Sequence, residues 1–205
     1  MNAAGHLFLQ RGYKAVSIND IITAAEVTKP TLYYYFSDKE ELFVQMGLGV
    51  LADMGERLGR VLQGFASTAY RLEALADVLM DDRDTDMRLM RHEMLAHLGP
   101  TQRARLSRAF YQHMFAPIVH VMEQGLASGD LAHYSAISLA KMFMGMAESF
   151  QEFAHLPATA ADTRHEAFFE PSDLSSKVLV DLFLHGVSNV ERALSRGTMP
   201  TALHK

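Results

Sequence analysis

The chain has 205 residues, a net charge of −5 and no cysteine, which excludes disulfides, thiolate metal sites and cysteine nucleophiles. A chain of this length buries about 70% of its unfolded surface, so it needs no covalent staple. No apolar run reaches the roughly 18 residues of a membrane span and no charged, hydrophobic leader opens the chain; the expectation is a cytoplasmic protein that does not engage membranes.

In chain order, residues 3–10 place Ala4, Leu7 and Phe8 at helical spacing, and Gly12 stands where a helix would stop. Ser17 is placed to cap a helix running to about Ala25, with Ile18, Ile21, Ile22 and Ala25 on one face and Asp20 at the capping-box position. Thr28 caps the next helix, which has Pro30 in its first turn, where a missing N–H costs nothing. Ser37 or Asp38 caps a long helix from Lys39 to about Gln63 that contains glycines 47, 49, 55 and 59. Three helices with a tight turn between the second and third make a helix-turn-helix.

Helices are then expected at about 70–82, 86–98 and 101–128, separated by an acidic turn (Asp81, Asp82, Asp84, Asp86) and by Gly99-Pro100, and closed by Gly129-Asp130. Two more, about 135–153 and 173–195, are apolar on nearly every face, and 154–172 is a long connection. A helix apolar all round must be buried on both sides. The expectation is therefore a homodimer through a four-helix interface, with Gly145 and Gly186 allowing close crossing. The fold class is all-α: an N-terminal three-helix helix-turn-helix domain (1–46) and a larger C-terminal helical ligand-binding and dimerisation domain (47–205).

The short helix after Thr28 carries hydroxyls at its N-terminus, Lys29, and the run Tyr33-Tyr34-Tyr35, with Lys39 beyond it. Small hydrogen-bonding residues read base edges and long donors reach phosphates, so this stretch points to DNA. Charge does not favour the partner: residues 1–46 hold four basic side chains (Arg11, Lys14, Lys29, Lys39) against five acidic ones (Asp20, Glu26, Asp38, Glu40, Glu41), leaving −1. Affinity from phosphate neutralisation alone should be modest. Leu32 and Phe36 are read as core, and Tyr35 stays open between core and surface.

These residues resemble the tetracycline-repressor (TetR) family of bacterial regulators. The resemblance runs through Ala4, Leu7, Phe8, Gly12, Tyr13, Ser17, Ile21, Ala24, Ala25, Val27, Thr28, Lys29, Thr31, Leu32, Tyr33, Phe36, Lys39, Glu40 and Leu42. Beyond about 45 residues it is one of architecture, with the Gly125-to-Leu131 stretch and the two terminal helices. It implies an all-α homodimer that binds a palindromic operator on double-stranded DNA and leaves it when a small effector enters the larger domain. It places Thr28, Lys29, Pro30 and Thr31 at base edges and nearby phosphates, Tyr33 and Tyr34 on the backbone and groove, and Lys39 and the Ser17 hydroxyl on phosphates. Two departures stand out. Glu26 occupies a turn position where the family prefers glycine. The family's basic arm and fuller first helix do not precede Ala4, so the resemblance implies either an upstream start or DNA binding without that arm.

Ten histidines raise the question of metal or catalysis. His92 and His97 flank Glu93 as in a zinc-protease motif, but a spacing of five puts them about 140° apart on a helix. His113 and His120 share a face yet sit ~10 Å apart along the axis. Ser128 lacks a Gly-x-Ser-x-Gly elbow and no phosphate-binding glycine loop is found. No catalytic residue, metal site or cofactor is assigned. Thirteen methionines and twelve phenylalanines instead supply adaptable apolar lining for a ligand. Phe110, Met114, Pro117 and Val121 form one stripe, and Leu139, Met142, Met146 and Phe150 another. Met90 and Met94 close the end near the DNA-binding domain, and Tyr111 and His113 are polar handles.

The functional expectation is a regulator, acting as a repressor, released by an apolar or aromatic ligand. The long helix from Lys39 is the lever that sets two reading helices about 34–36 Å apart. Its glycines fit hinges and close packing equally. The alternative is a dimeric small-molecule-binding protein with weak or lost DNA binding.

Overall fold

A computed structural model of the chain describes residues 2–64, 67–81, 87–131, 134–154 and 175–185. All regular structure among them is helical: α1 (Asn2–Ala15), α2 (Ile18–Ala24), α3 (Lys29–Tyr35), α4 (Lys39–Val61), α5 (Thr68–Met80), α6 (Met87–His97), α7 (Pro100–Phe110), α8 (Ala116–Ser128), α9 (Ala136–Ala154) and α10 (Ser176–His185).

Local chemistry sets the first boundaries. Gly12 adopts φ 77 and ψ 163, a conformation open only to glycine, and breaks α1 so that Tyr13 departs from the helix axis. The Ser17 hydroxyl accepts the Asp20 N–H at 3.1 Å while Asp20 Oδ2 accepts the Ser17 N–H at 2.7 Å, a complete capping box at the start of α2. Thr28 Oγ1 accepts the Thr31 N–H at 3.3 Å to start α3. Of the two candidates for α4, Asp38 is the cap, accepting the Glu41 N–H at 2.8 Å. Between α2 and α3, Glu26 takes φ 53. The left-handed turn expected at a glycine position is thus held by a carboxylate residue, at a cost of roughly 1–2 kcal/mol.

The three short helices close over one end of α4. Phe8 and Phe43, both buried, meet edge to face at 5.2 Å, and Tyr13 meets Phe43 at the same distance. Each such pair adds about 0.5–1.5 kcal/mol beyond area burial. Ala4, Val16, Ile21 and Leu32 complete this core, and Phe36 packs against it half-buried. Further along, α4 buries Leu51, Met54 and Leu58 in the C-terminal helices.

Two glycines of α4 mark close approaches. A Cβ on Gly47 would lie 2.9 Å from Leu106 Cδ2, and one on Gly55 would lie 2.9 Å from His113 Cβ and 3.1 Å from the His113 carbonyl oxygen. Packing therefore accounts for these two, whereas Gly59 has nothing within 4 Å of its Cβ position. The His113 carbonyl belongs to a π-helical turn, Tyr111–Phe115, between α7 and α8. Pro117 has no N–H for the carbonyl four residues back, which is His113, and the Ala116 N–H instead reaches Tyr111 O. The helix expected over 101–128 is one continuous rod with this widened turn inside it.

At the far end, Thr68 Oγ1 and Ser128 Oγ both donate to Asp130 Oδ2, at 2.7 and 2.9 Å, joining the start of α5 to the end of α8. These bonds, Thr68 first, hold the Asp130 carboxyl below its usual value. Asp81 of the acidic turn accepts from Arg57 at 2.5 Å; Asp82, Asp84 and Asp86 lie outside the described residues. So do the connection 155–174, Gly186 and the last part of the final helix.

α9 and α10 pack on α8 and α5 through Leu139, Ala140, Phe143, Ala147, Leu179 and Val180. Their other faces are not uniformly apolar. Met142 and Ile137 are each 52% exposed and Val178 is 37% exposed; Ser138, Lys141 and Gly145 share the exposed face of α9, and Lys177 and Asp181 that of α10.

Candidate nucleic-acid interface and effector cleft

α3 is seven residues long and buries Leu32 alone. Thr28, Lys29, Pro30, Thr31, Tyr33 and Tyr34 are all exposed, Tyr34 at 83%. Tyr35 is 70% exposed and stacks edge to face on Tyr34 at 5.1 Å, which resolves its open assignment in favour of the surface. Seven side chains of unlike chemistry thus face outward between Thr28 and Tyr35, over about two turns of helix.

The hydroxyls and amine around this face are already partly engaged. Thr28 Oγ1 and Thr31 Oγ1 are hydrogen-bonded at 2.8 Å, so one of the two hydroxyl protons is shared between them. Ser17 Oγ donates to Asp20 Oδ2 at 2.5 Å, which holds the Asp20 carboxyl below its usual value. A phosphate at Ser17 must compete with that carboxylate for the proton. Lys39 Nζ sits 4.3 Å over the Tyr13 ring, a cation–π contact. Its half-buried setting lowers its pKa, opposed by the charges of Asp20 and Glu93. Lys39 therefore braces α4 against the residue after the Gly12 break, within the first domain.

That same Tyr13 is where the C-terminal helices hold the head. Its N–H, freed from the helical ladder by Gly12, donates to Glu93 Oε2 of α6 at 2.6 Å. His97, one turn along α6, stacks on the Tyr13 ring at 5.6 Å and lies 3.6 Å from Glu93 Oε2. Burial, then Glu40 and Asp38, raises the pKa of the Tyr13 phenol. A second tie joins α4 to α7. Glu41 receives both Arg105 guanidinium nitrogens, at 2.6 and 3.0 Å, and Glu40 Oε1 accepts the Gly99 N–H at 3.0 Å. Arg105 first, then Gln45, pulls the Glu41 carboxyl below its usual value.

Above these ties a cleft of ≈190 Å³ opens between α4, α6 and α7, lined by Leu51, Met90, Arg91, Met94, Leu106, Ser107 and Phe110. It exceeds the roughly 150 Å³ of an apolar cavity that takes a benzene. It falls below the about 300–1,000 Å³ of sites for larger ligands. Met90 is fully buried while Met94 and Phe110 are half-buried. Arg91 stands at the exposed side, where its Nη1 contacts Glu148 Oε1 of α9 at 3.1 Å with both side chains about half-exposed. Such a pair contributes about 0–1 kcal/mol.

Of the ligand residues expected from sequence, the structure gathers Met90, Met94 and Phe110 at this cleft. Met114 is buried in the core, and His113 lies against Gly55 on α4. Tyr111 is 56% exposed and stacks near Phe115. Met146 and Phe150 are half-buried on α9, and Met142 faces outward. The cleft residues that sequence reasoning missed are Leu51, Arg91, Leu106 and Ser107, and at the interdomain tie Glu93 and Arg105. Leu106, Ser107 and Phe110 do recur at helical spacing, which was a usable signal. In the sequence Glu93 stands out only by its place beside His92.

Residues 1–46 match the family described as bacterial regulatory proteins, tetR family. The HTH-type transcriptional activator FasR of Mycolicibacterium smegmatis is 30% identical over 79 residues, 38% of this chain and 36% of that relative. This chain thus spans about a third of that protein. The HTH-type transcriptional repressor KstR2 of Rhodococcus jostii is 23% identical over 146 residues, covering 70% of this chain and 72% of its own. In fold, the transcriptional regulator FadR from Bacillus subtilis, in complex with stearoyl-CoA, has a TM-score of 0.71 at 16% identity, covering 91% of this chain and 97% of that one.

Proposed function

We propose that this chain, whose residues 1–46 match the tetR family of bacterial regulatory proteins, is a ligand-released repressor acting as a homodimer on a palindromic operator. The observation that carries the reading is α3, a short helix whose single buried side chain anchors it while Thr28, Lys29, Pro30, Thr31, Tyr33 and Tyr34 face solvent. Thr31 can exchange a hydrogen bond with a base and offers its methyl to thymine, while Lys29 and the tyrosine hydroxyls reach phosphates. Ser17 and Lys39 would join them by giving up Asp20 and the Tyr13 ring. The dimer forms through α9 and α10, whose outward Ile137, Met142 and Val178 supply apolar area and whose Gly145 permits close crossing.

The effector is a small apolar or aromatic molecule in the cleft of α4, α6 and α7. Met90 and Met94 touch the cleft while Glu93 and His97, on the same helix, hold Tyr13 of the reading head. Ligand entry that displaces α6 therefore alters the seat of the head, and a shift between two seats is what linkage requires. α6 thus joins α4, which carries Leu51 in the cleft and Phe43 and Lys39 against the head, as a lever between the two.

The test is a gel shift with DNA upstream of the protein's own gene, over a salt series from about 50 to about 200 mM. A retarded complex with a clear negative salt slope, weakened by a small apolar ligand, is the expected result. Absence of any complex at the lowest salt would leave a dimeric ligand-binding protein as the function.

A further inference from the structure

We propose that the cleft selects an anionic ligand: a carboxylate carried on one ring or a short acyl chain, with the carboxylate held by Arg91 and Ser107. This rests on the reading of the cleft as the effector site. Among the described residues, the two lining residues with polar side chains both supply donors and none carries a carboxylate. The rest of the wall is two methionines, two leucines and Phe110, which has no use for a polar head. A ligand with one apolar body and one acidic end matches this division; a neutral ligand leaves the guanidinium unused.

Arg91 is available for the task. Among the described residues its ion-pair partner is Glu148, through one N–H···O contact of 3.1 Å, with the arginine side chain 56% exposed. The guanidinium has five donors in a planar fork suited to two carboxylate oxygens, so one contact leaves most of it unengaged. A pair this exposed is weakly held and screened, whereas a ligand carboxylate at the mouth of an apolar cleft meets the same guanidinium with less water around it.

Cleft size limits the body. At ≈190 Å³ the space suits about one aromatic ring or a chain of roughly six carbons. The probes are hexanoate and 3-phenylpropanoate, with 1-hexanol and 3-phenylpropan-1-ol as neutral matches of the same length.

Binding is measured by calorimetry and thermal shift on the full chain, as wild type, Arg91→Met, Arg91→Lys and Ser107→Ala. The expected result is that the acids bind wild type about tenfold or more tightly than their alcohols. Arg91→Met should remove that preference, Arg91→Lys should keep part of it, and Ser107→Ala should reduce it. A folded Arg91→Met or Arg91→Lys protein, judged by its own unfolding midpoint, makes the comparison valid, and either variant suffices. Equal binding of acids and alcohols overturns the anionic proposal and leaves the apolar-effector reading standing. Binding of neither series overturns both.

Discussion

Glu93 Oε2 accepts the Tyr13 N–H at 2.6 Å across 80 residues of sequence, so the amide that Gly12 releases in α1 is satisfied by α6. Replacing Glu93 with alanine leaves that donor part-buried and unpaired, at an expected cost of about 1–3 kcal/mol. Urea unfolding gives the value. Glu93→Gln, which retains an acceptor, should recover much of the loss; equal destabilisation by both would assign the effect to charge alone.

The α4–α7 tie predicts a pH dependence. Because Arg105 depresses the Glu41 carboxyl below its ordinary value of 4.5, its contribution is complete above that pH and is lost as pH falls through the native value. Glu41→Gln should cost about 1 kcal/mol at pH 7, a modest figure because Arg105 is more than a third exposed. The gap between variant and wild type should close as pH falls through the depressed native value of Glu41. A gap unchanged with pH would mean that packing, not charge, carries the tie.

The glycines of α4 should respond in opposite directions. Gly55→Ala drives a methyl into the His113 backbone of the π turn and should destabilise by about 1–3 kcal/mol. Gly59→Ala meets open space and should stabilise by up to ~1 kcal/mol. Thermal midpoints of the two variants decide this.

On the proposed interface with DNA, Lys29→Ala should weaken operator binding across sequences and reduce the salt slope by about one. Thr31→Ala should act chiefly on base preference, changing discrimination at one position by about 1–3 kcal/mol. Binding measured over a salt series with wild-type and mutated operators separates the two.

For the proposed dimer, Met142→Glu places a charge in the outward face of α9 and should yield monomers in sedimentation velocity at micromolar concentration. A variant that sediments as wild type would move the interface elsewhere.

Helix starts were legible in the sequence because they are local. Ser17 with Asp20, Thr28 with Pro30, and Asp38 each satisfy backbone donors within three residues. The strained turn at Glu26 could be read the same way, from a position in a pattern. The π turn was not expected because Pro117 sits in a run with unbroken apolar spacing, although its missing N–H four residues after His113 is a local signal for it. Residues of the cleft depend on which face of α7 meets α4, a pairing decided by Gly47 and Leu106 from 59 residues apart. Glu93 was hidden for the same reason, since its partner is a backbone amide with no side-chain signature. Met142 falls in the expected ligand stripe of a helix also expected at the interface, and periodicity alone cannot choose between two apolar uses of one helix.

The single anchor of α3 has an evolutionary consequence. With Leu32 alone buried among its seven residues, changes at Lys29, Thr31, Tyr33, Tyr34 and Tyr35 fall at surface positions, where substitutions usually shift stability by no more than about 0.5 kcal/mol. At these five positions the proposed reading surface is therefore uncoupled from the fold that presents it, whereas Thr28 and Ser17 also cap helices and Lys39 braces Tyr13. A lineage built on this scaffold can drift to a new target sequence through intermediates that all remain folded, and retargeting is constrained by what the DNA selects and hardly at all by what the protein can tolerate.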